Sequence, residues 1–333
     1  MNSSQASSHL SLQYRRAFLL SSAMAATRCS RRGPATQRVR LVIAGTPANL
    51  AFLPHTIAHQ LNLYRKEGLL LAVDAVPGGT KGAQALLGGS ADVVLGFYDH
   101  SIRIAAQGQF AQSFVTMIRY PGNVIITSPR ASETIPTIRD LKGTTVGVPD
   151  LGSQAHLVLA YLLVRNGLKP SDVTPIATGS QSAGVAALER GRLDALSNFE
   201  PAVTQVLNRH PNVRILADAR TQRGVRELFG VNAYPGSVLY AKADWLREYA
   251  DTARRLARAI QGSLRWIHQH SPDEIMSVVP SAHFGEERSI YREALLHSTG
   301  MYSADGRMPA GGPEAVRNVL ATFLEPVKKR ISI

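Results

Sequence analysis

Two glycine-punctuated loops carry residue types suited to holding a small polar solute. Gly152-Ser153-Gln154-Ala155-His156 leads into a helical run over 155–166, and Thr178-Gly179-Ser180-Gln181 leads into another. At such a junction a Ser can cap the helix, and a glycine lets the backbone approach a ligand. The unpaired N–H groups of the first turn and the helix dipole then favour negative charge. Three similar loops occur earlier: Gly45-Thr46-Pro47-Ala48-Asn49, Gly78-Gly79-Thr80 and Gly96-Phe97-Tyr98-Asp99. The candidate contact residues are therefore Thr46, Asn49, Phe52, Thr80, Tyr98, Asp99, Ser153, Gln154, His156, Ser180, Gln181, Asn198 and Glu200. Phe52, Tyr98 and Phe199 are candidate walls. Asp99 and Glu200 would repel an anion unless the ligand also carries a cationic or N–H group; Glu200 can equally cap or pair within its own part of the fold.

Catalytic readings find little support. His55 and His59 stand at i, i+4, but no Glu follows His55, so the zinc-protease pattern is absent. His268 and His270 close a helix, where positive charge suits the dipole. No Gly-x-Ser-x-Gly elbow and no Gly-Lys-Ser/Thr phosphate loop occurs. The single cysteine, Cys29, excludes an intramolecular disulfide and a thiolate metal cluster. No catalytic residue, metal ligand or cofactor is assigned.

The elements that must position these loops alternate between β-branched runs and helical patterns, which predicts an α/β fold with largely parallel strands. Val39–Ala44, Leu70–Val76 and Asp92–Phe97 read as strands. Leu50–Tyr64 and Gly79–Gly88 read as helices. The pattern returns after 102 residues: Ala85-Leu86-x-x-Gly89-x-x-Asp92 matches Ala187-Leu188-x-x-Gly191-x-x-Asp194, and Phe97 matches Phe199. Two such units predict two similar lobes. Gly122–Ser128 and Gly236–Lys242 read as strands crossing between them. This gives one lobe at 39–127 plus 239–333 and a second at 128–238. Thr252–His268 is amphipathic, and Ser271-Pro272-Asp273-Glu274 is a helix start.

Several stretches resemble the substrate-binding proteins of ATP-driven (ABC) importers for nitrate, sulfonates and taurine, whose superfamily includes thiamine-pyrimidine binders. These are Leu61–Leu69 (with Asn62 where the family has Gly), Asp140-Leu141-Lys142-Gly143 with Val146-Gly147-Val148, Gly191 through Phe199-Glu200-Pro201 (with Phe199 where Trp is common), and Trp266 with Ser271–Glu274. The resemblance spans about 39–325. It implies the two-lobed type 2 periplasmic-binding-protein fold, each lobe a mainly parallel sheet flanked by helices, with two crossover strands as hinge. It also implies a small anionic solute in the interlobe cleft, delivered to a membrane permease and its ATPase. A sensor without a transport partner, and a synthase-like enzyme on the same fold, are the alternatives. The resemblance brings in two relatives that do chemistry, a thiamine-pyrimidine synthase and an aromatic desulfinase; both need a cysteine in the cleft, and none lies beyond the expected leader.

Composition agrees with a globular chain: 333 residues, 44% hydrophobic and 18% charged, which suits two lobes and excludes wholesale disorder. The net charge is +13, but residues 1–38 hold six arginines and no acid, leaving +7 on the remainder. No basic stripe with interleaved aromatics marks nucleic-acid binding; Lys328-Lys329-Arg330 reads as a solvated tail. Arg15-Arg16, the apolar stretch Ala17–Ala26 and small residues at Ala23 and Ala25 have the layout of a twin-arginine export signal, so 1–38 reads as signal and linker. A periplasmic location is expected, with the membrane met only through the permease.

Overall fold

The computed structural model describes residues 36–179 and 181–330. The expected export signal with Arg15-Arg16 and Cys29 therefore lies outside the described residues, as does Ser180. The β-branched runs become ten strands in two five-stranded sheets. These are β1 (Gln37–Ala44), β2 (Leu69–Val76), β3 (Val93–Phe97), β4 (Ala111–Thr116), β5 (Val124–Thr127), β6 (Thr145–Val148), β7 (Thr174–Ala177), β8 (Ala195–Asn198), β9 (Ile215–Asp218) and β10 (Ser237–Lys242). The first sheet has the order β2-β1-β3-β10-β4 and the second β7-β6-β8-β5-β9. In each, three strands run parallel and the fourth in order is antiparallel to its neighbour. Helices flank both sheets, giving the two-lobed α/β architecture expected from the sequence.

The internal repeat has a visible structural cause. Asp92 accepts the Arg40 N–H through its carboxylate and donates its own N–H to the Arg40 carbonyl (2.8 and 2.9 Å). Asp194 repeats both bonds with Thr145 at the same distances. Each Asp thus ties the start of a central strand to the strand beside it, at Arg40 within β1 and at Thr145 opening β6. The Gly three residues earlier is left-handed in both copies (φ 78° at Gly89, 69° at Gly191), which ends the preceding helix.

Two sequence expectations change. The run Leu50–Tyr64 is not one helix: Leu50–Phe52 is a 3₁₀ turn, Leu53–Gln60 is α-helical, and Leu63–Lys66 starts again after Asn62 at φ 55°. Asn tolerates that left-handed conformation and so ends the helix. The lobe entry expected at 128 also lies earlier, because Val124–Thr127 already pairs with β8 and β9 in the second sheet. Its four residues are all buried. A run so apolar completes a sheet rather than bridging two. The connecting segments are instead paired ahead of it: Gly236 donates to the Ile118 carbonyl, Tyr234 to that of Arg119, and Gly122 to that of Ala219. The amphipathic helix Ala250–Gln269 packs against Leu53–Gln60, and the helix after Ser271 opens with a Ser271–Glu274 capping box. Among the described residues, no helix is long and apolar enough to cross a membrane.

Candidate functional site

Parallel strands bring their carboxyl ends, and the helix starts that follow, to one edge of each sheet. Here the two edges face each other and close on a small cavity of about 20 Å³, so a solute larger than water needs the lobes to part to enter. Its floor on the first lobe is Ala44-Gly45-Thr46 and Asn49 after β1, Pro77-Gly78-Gly79 after β2, and Phe97 with His100 after β3. Across from it stand Pro149, Ser153 and Gln154 after β6, Gln181, and Asn198-Phe199 at the end of β8. Three helices, Gly79–Leu87, Gln154–Arg165 and Gln181–Glu189, thus begin at its wall.

Six sequence candidates line this cavity: Thr46, Asn49, Ser153, Gln154, Gln181 and Asn198. Asn49 Oδ1 accepts the Ala51 N–H at 2.9 Å, and Ser153 Oγ accepts the His156 N–H, so both cap helical turns. Gln181 Nε2 donates to the carbonyls of Phe199 and Glu200. Asn198 Oδ1 accepts the Phe199 N–H at 2.9 Å, which fixes its amide and leaves Nδ2 as a buried donor without a protein partner. Gln154 is 0% exposed, and neither of its amide atoms has a protein partner. Buried polar groups are nearly always paired, so these atoms mark the place where recognition is incomplete.

Six other candidates lie elsewhere. Phe52 packs behind the cavity against Phe97, with ring centroids 5.6 Å apart. Thr80 reaches across the lobes and donates to the Leu151 carbonyl at 3.3 Å. Tyr98 turns to a surface groove with Phe110 and Phe114. His156 Nδ1 accepts the Gly152 N–H at 2.9 Å, shaping its own loop, and burial lowers its pKa. Glu200 is held mainly in its own lobe: Oε1 meets Arg220 Nη1 at 2.5 Å and Thr204 Oγ1 at 2.9 Å, and Oε2 accepts the Thr204 N–H, while His297 of the other lobe approaches Oε1 at 3.8 Å. Asp99 is wholly buried behind His100, and burial pushes its carboxyl up to about 7. No charged side chain is therefore among the described residues lining the cavity, and neither carboxylate opposes an anion there.

His100 was not foreseen from the sequence. Its Nδ1 accepts the Phe97 N–H at 3.3 Å, so Nε2 carries the proton. Nε2 lies 3.6 Å from Asp99 Oδ1, but this is no ion pair: burial, and then Arg103, lower His100 to about 3, and burial raises Asp99. The ring edge rests on Gly79, where a Cβ would come within 1.9 Å of Nε2. Only glycine fits there.

The lobes touch around the cavity. Phe97 and Phe199, equivalent residues of the two repeats, stack with centroids 5.0 Å apart and planes 17° from parallel. Arg103 Nη1 donates to the Gly152 carbonyl at 2.8 Å, and the Leu50 N–H to that of Glu200. Gly152 sits at φ 89°, and a Cβ would press on Thr80 Oγ1 at 2.8 Å, so this contact also needs glycine. A second, larger cavity of about 290 Å³ shares Thr46 and Gln181 with the first and extends past Gln205, Phe284 and Glu287.

A family model described as NMT1/THI5 like matches residues 49–275. A Bordetella bronchiseptica RB50 protein of known structure is 32% identical, with a TM-score of 0.84 over 88% of this chain and 92% of that one. The alkanesulfonate-binding protein SsuA of Xanthomonas axonopodis pv. citri, solved with MOPS bound, shares the fold at 17% identity. Its TM-score is 0.68, over 88% of this chain and 94% of that chain. A Bacillus subtilis (strain 168) protein named for binding, YtlA, is 22% identical over 245 residues, 72% of this chain and 70% of its own.

Proposed function

Because this chain belongs to the NMT1/THI5-like family, we propose that it is the exported solute-binding component of an ABC importer. A small organic solute with an anionic or strongly polarised oxygen group binds in the interlobe cavity and is handed to a permease with its ATPase. The observation that carries this reading is the cavity itself: three helix starts from two facing lobes, with the unpaired Gln154 amide and the unpaired Asn198 Nδ2 between them. Thr46, Asn49, Ser153, Gln154, Gln181 and Asn198 are the proposed contacts. The alkanesulfonate-binding name of a structural neighbour agrees with an oxygen-rich ligand.

The protein works by closure rather than by chemistry. Ser153 Oγ is a helix cap, and the nearby His156 nitrogen Nδ1 is already used by Gly152, so the pair has no nucleophile–base geometry. The paired segments around 117–123 and 219–236 act as hinge, and the Phe97–Phe199 stack, Thr80 and Arg103 hold the closed form. A ligand that bridges both lobes favours that form through its differential affinity. The permease reads the closed shape from a periplasmic location.

A thermal-shift screen tests this with nitrate, alkanesulfonates, taurine, aromatic carboxylates, pyrimidines and carboxamides. A true ligand at 100 times its Kd stabilises the fold by about 2.7 kcal/mol. Ser153→Leu, which fills the cavity wall, abolishes the shift. A shift that survives in this variant would place binding elsewhere.

A further inference from the structure

The buried polar atoms of the cavity make a more specific demand than negative charge. Asn198 presents one donor, Nδ2, and its orientation is fixed by the bond from the Phe199 N–H to Oδ1. Gln154 presents both an unpaired donor and an unpaired acceptor at zero exposure. Turning the Gln154 amide over exchanges the two atoms but leaves the same demand, one donor beside one acceptor. The acceptor is the informative atom. Nitrate, a sulfonate or a carboxylate carries only acceptor oxygens, which would answer Asn198 Nδ2, Gln154 Nε2 and the helix N–H groups. The same oxygens would set lone pairs against Gln154 Oε1, with no cationic side chain among the described lining residues to offset the repulsion.

We infer that Gln154 determines specificity and that the ligand presents an amide-like edge, a C=O beside an N–H, as in a carboxamide or lactam. This rests on the solute-receptor reading above and names the ligand class for the same cavity. Such an edge pairs with the Gln154 side chain through two parallel hydrogen bonds, and its carbonyl oxygen has a second lone pair for Asn198 Nδ2. Phe97 and Phe199, whose faces are stacked on each other, make this wall apolar, which suits an uncharged group beside the two amides.

Calorimetric titration of the full chain with matched probes tests this: nicotinamide against nicotinate, benzamide against benzoate, and benzenesulfonate. Each amide is expected to bind at least about tenfold more tightly than its carboxylate, since the carboxylate leaves Gln154 Oε1 facing lone pairs. Gln154→Leu keeps the apolar bulk and removes both polar atoms. It should weaken amide binding by about tenfold or more and bring the amide-to-carboxylate ratio near one. The wild-type ratio stands on its own if that variant folds poorly. A carboxylate or sulfonate binding the wild type as tightly as its amide partner overturns the ligand class and leaves the receptor reading intact. Binding of no probe, together with a flat thermal-shift screen, overturns both.

Discussion

Arg220→Met is the perturbation whose size follows most directly from the structure. Arg220 is 8% exposed and links two carboxylates: Nη1 meets Glu200 Oε1 at 2.5 Å, Nε meets Asp218 Oδ1 at 3.0 Å and Nη2 meets Asp218 Oδ2 at 2.6 Å. Methionine fills much of the volume but removes all three bonds and leaves the buried Glu200 charge with only His297, 3.8 Å from Oε1, as a basic neighbour. Loss of one partner from a buried pair costs about 3–5 kcal/mol. Glu200 keeps the Thr204 N–H and hydroxyl, so the lower end, about 3 kcal/mol, is expected. Out of a total stability of about 5–15 kcal/mol this is a large fraction, readable as a lower urea midpoint at unchanged slope. Adding Glu200→Gln removes the stranded charge and should recover roughly half of the loss. Glu200→Gln alone should leave ligand affinity within about threefold, because that carboxylate is absent from the cavity lining. Burial pushes the Asp218 carboxyl up, but Arg220 more than offsets this and holds it below the usual range. Its contribution is present above about pH 4, is lost as the pH falls, and should be reduced in Arg220→Met. An Arg220→Met midpoint within about 1 kcal/mol of wild type would refute the reasoning, as would loss of ligand binding in Glu200→Gln.

Three further outcomes follow from the cavity wall. Gly79→Ala drives a methyl into the His100 ring, so ligand affinity should fall by about tenfold or more in calorimetry. Arg103→Met loses the bond to the Gly152 carbonyl; the closed form weakens by about tenfold, seen as a larger radius of gyration in solution scattering without ligand. Burial raises the Asp99 carboxyl to about 7, with His100, Arg103, Tyr234 and Tyr240 around it. A raised folded pKa means the folded state binds the extra proton, so stability falls as pH rises from about 4 to 7. Asp99→Asn should flatten that slope in urea titrations and be the more stable form at pH 8. An unchanged slope would show that Asp99 is not buried as described.

Much of the architecture could be read along the chain. Alternating strands and helices gave the α/β class, and the 102-residue repeat gave two sheets whose Asp92 and Asp194 make the same pair of bonds. Ser153 and Ser271 were legible as caps because capping is settled within four residues. Local pattern was less reliable at boundaries. The Leu50–Tyr64 run looked continuous because its apolar spacing hides the left-handed Asn62. The Val124–Thr127 strand could be assigned to the second sheet only once its neighbours β8 and β9 were known.

The site divides in the same way. Sequence by itself determined that glycine-rich loops precede helices and would gather at strand ends, since those depend on neighbouring residues and on the handedness of the chain. Tertiary structure decided which side chain turns inward. Asn198 points into the cavity while Glu200, two residues on, is drawn to Arg220 twenty residues further along. His100 reaches the cavity because Gly79, on another strand–helix junction, leaves room for its ring. Unpaired atoms such as those of Gln154 exist only relative to everything folded around them. Burial and pairing are properties of distant segments meeting, and one-dimensional spacing does not contain them.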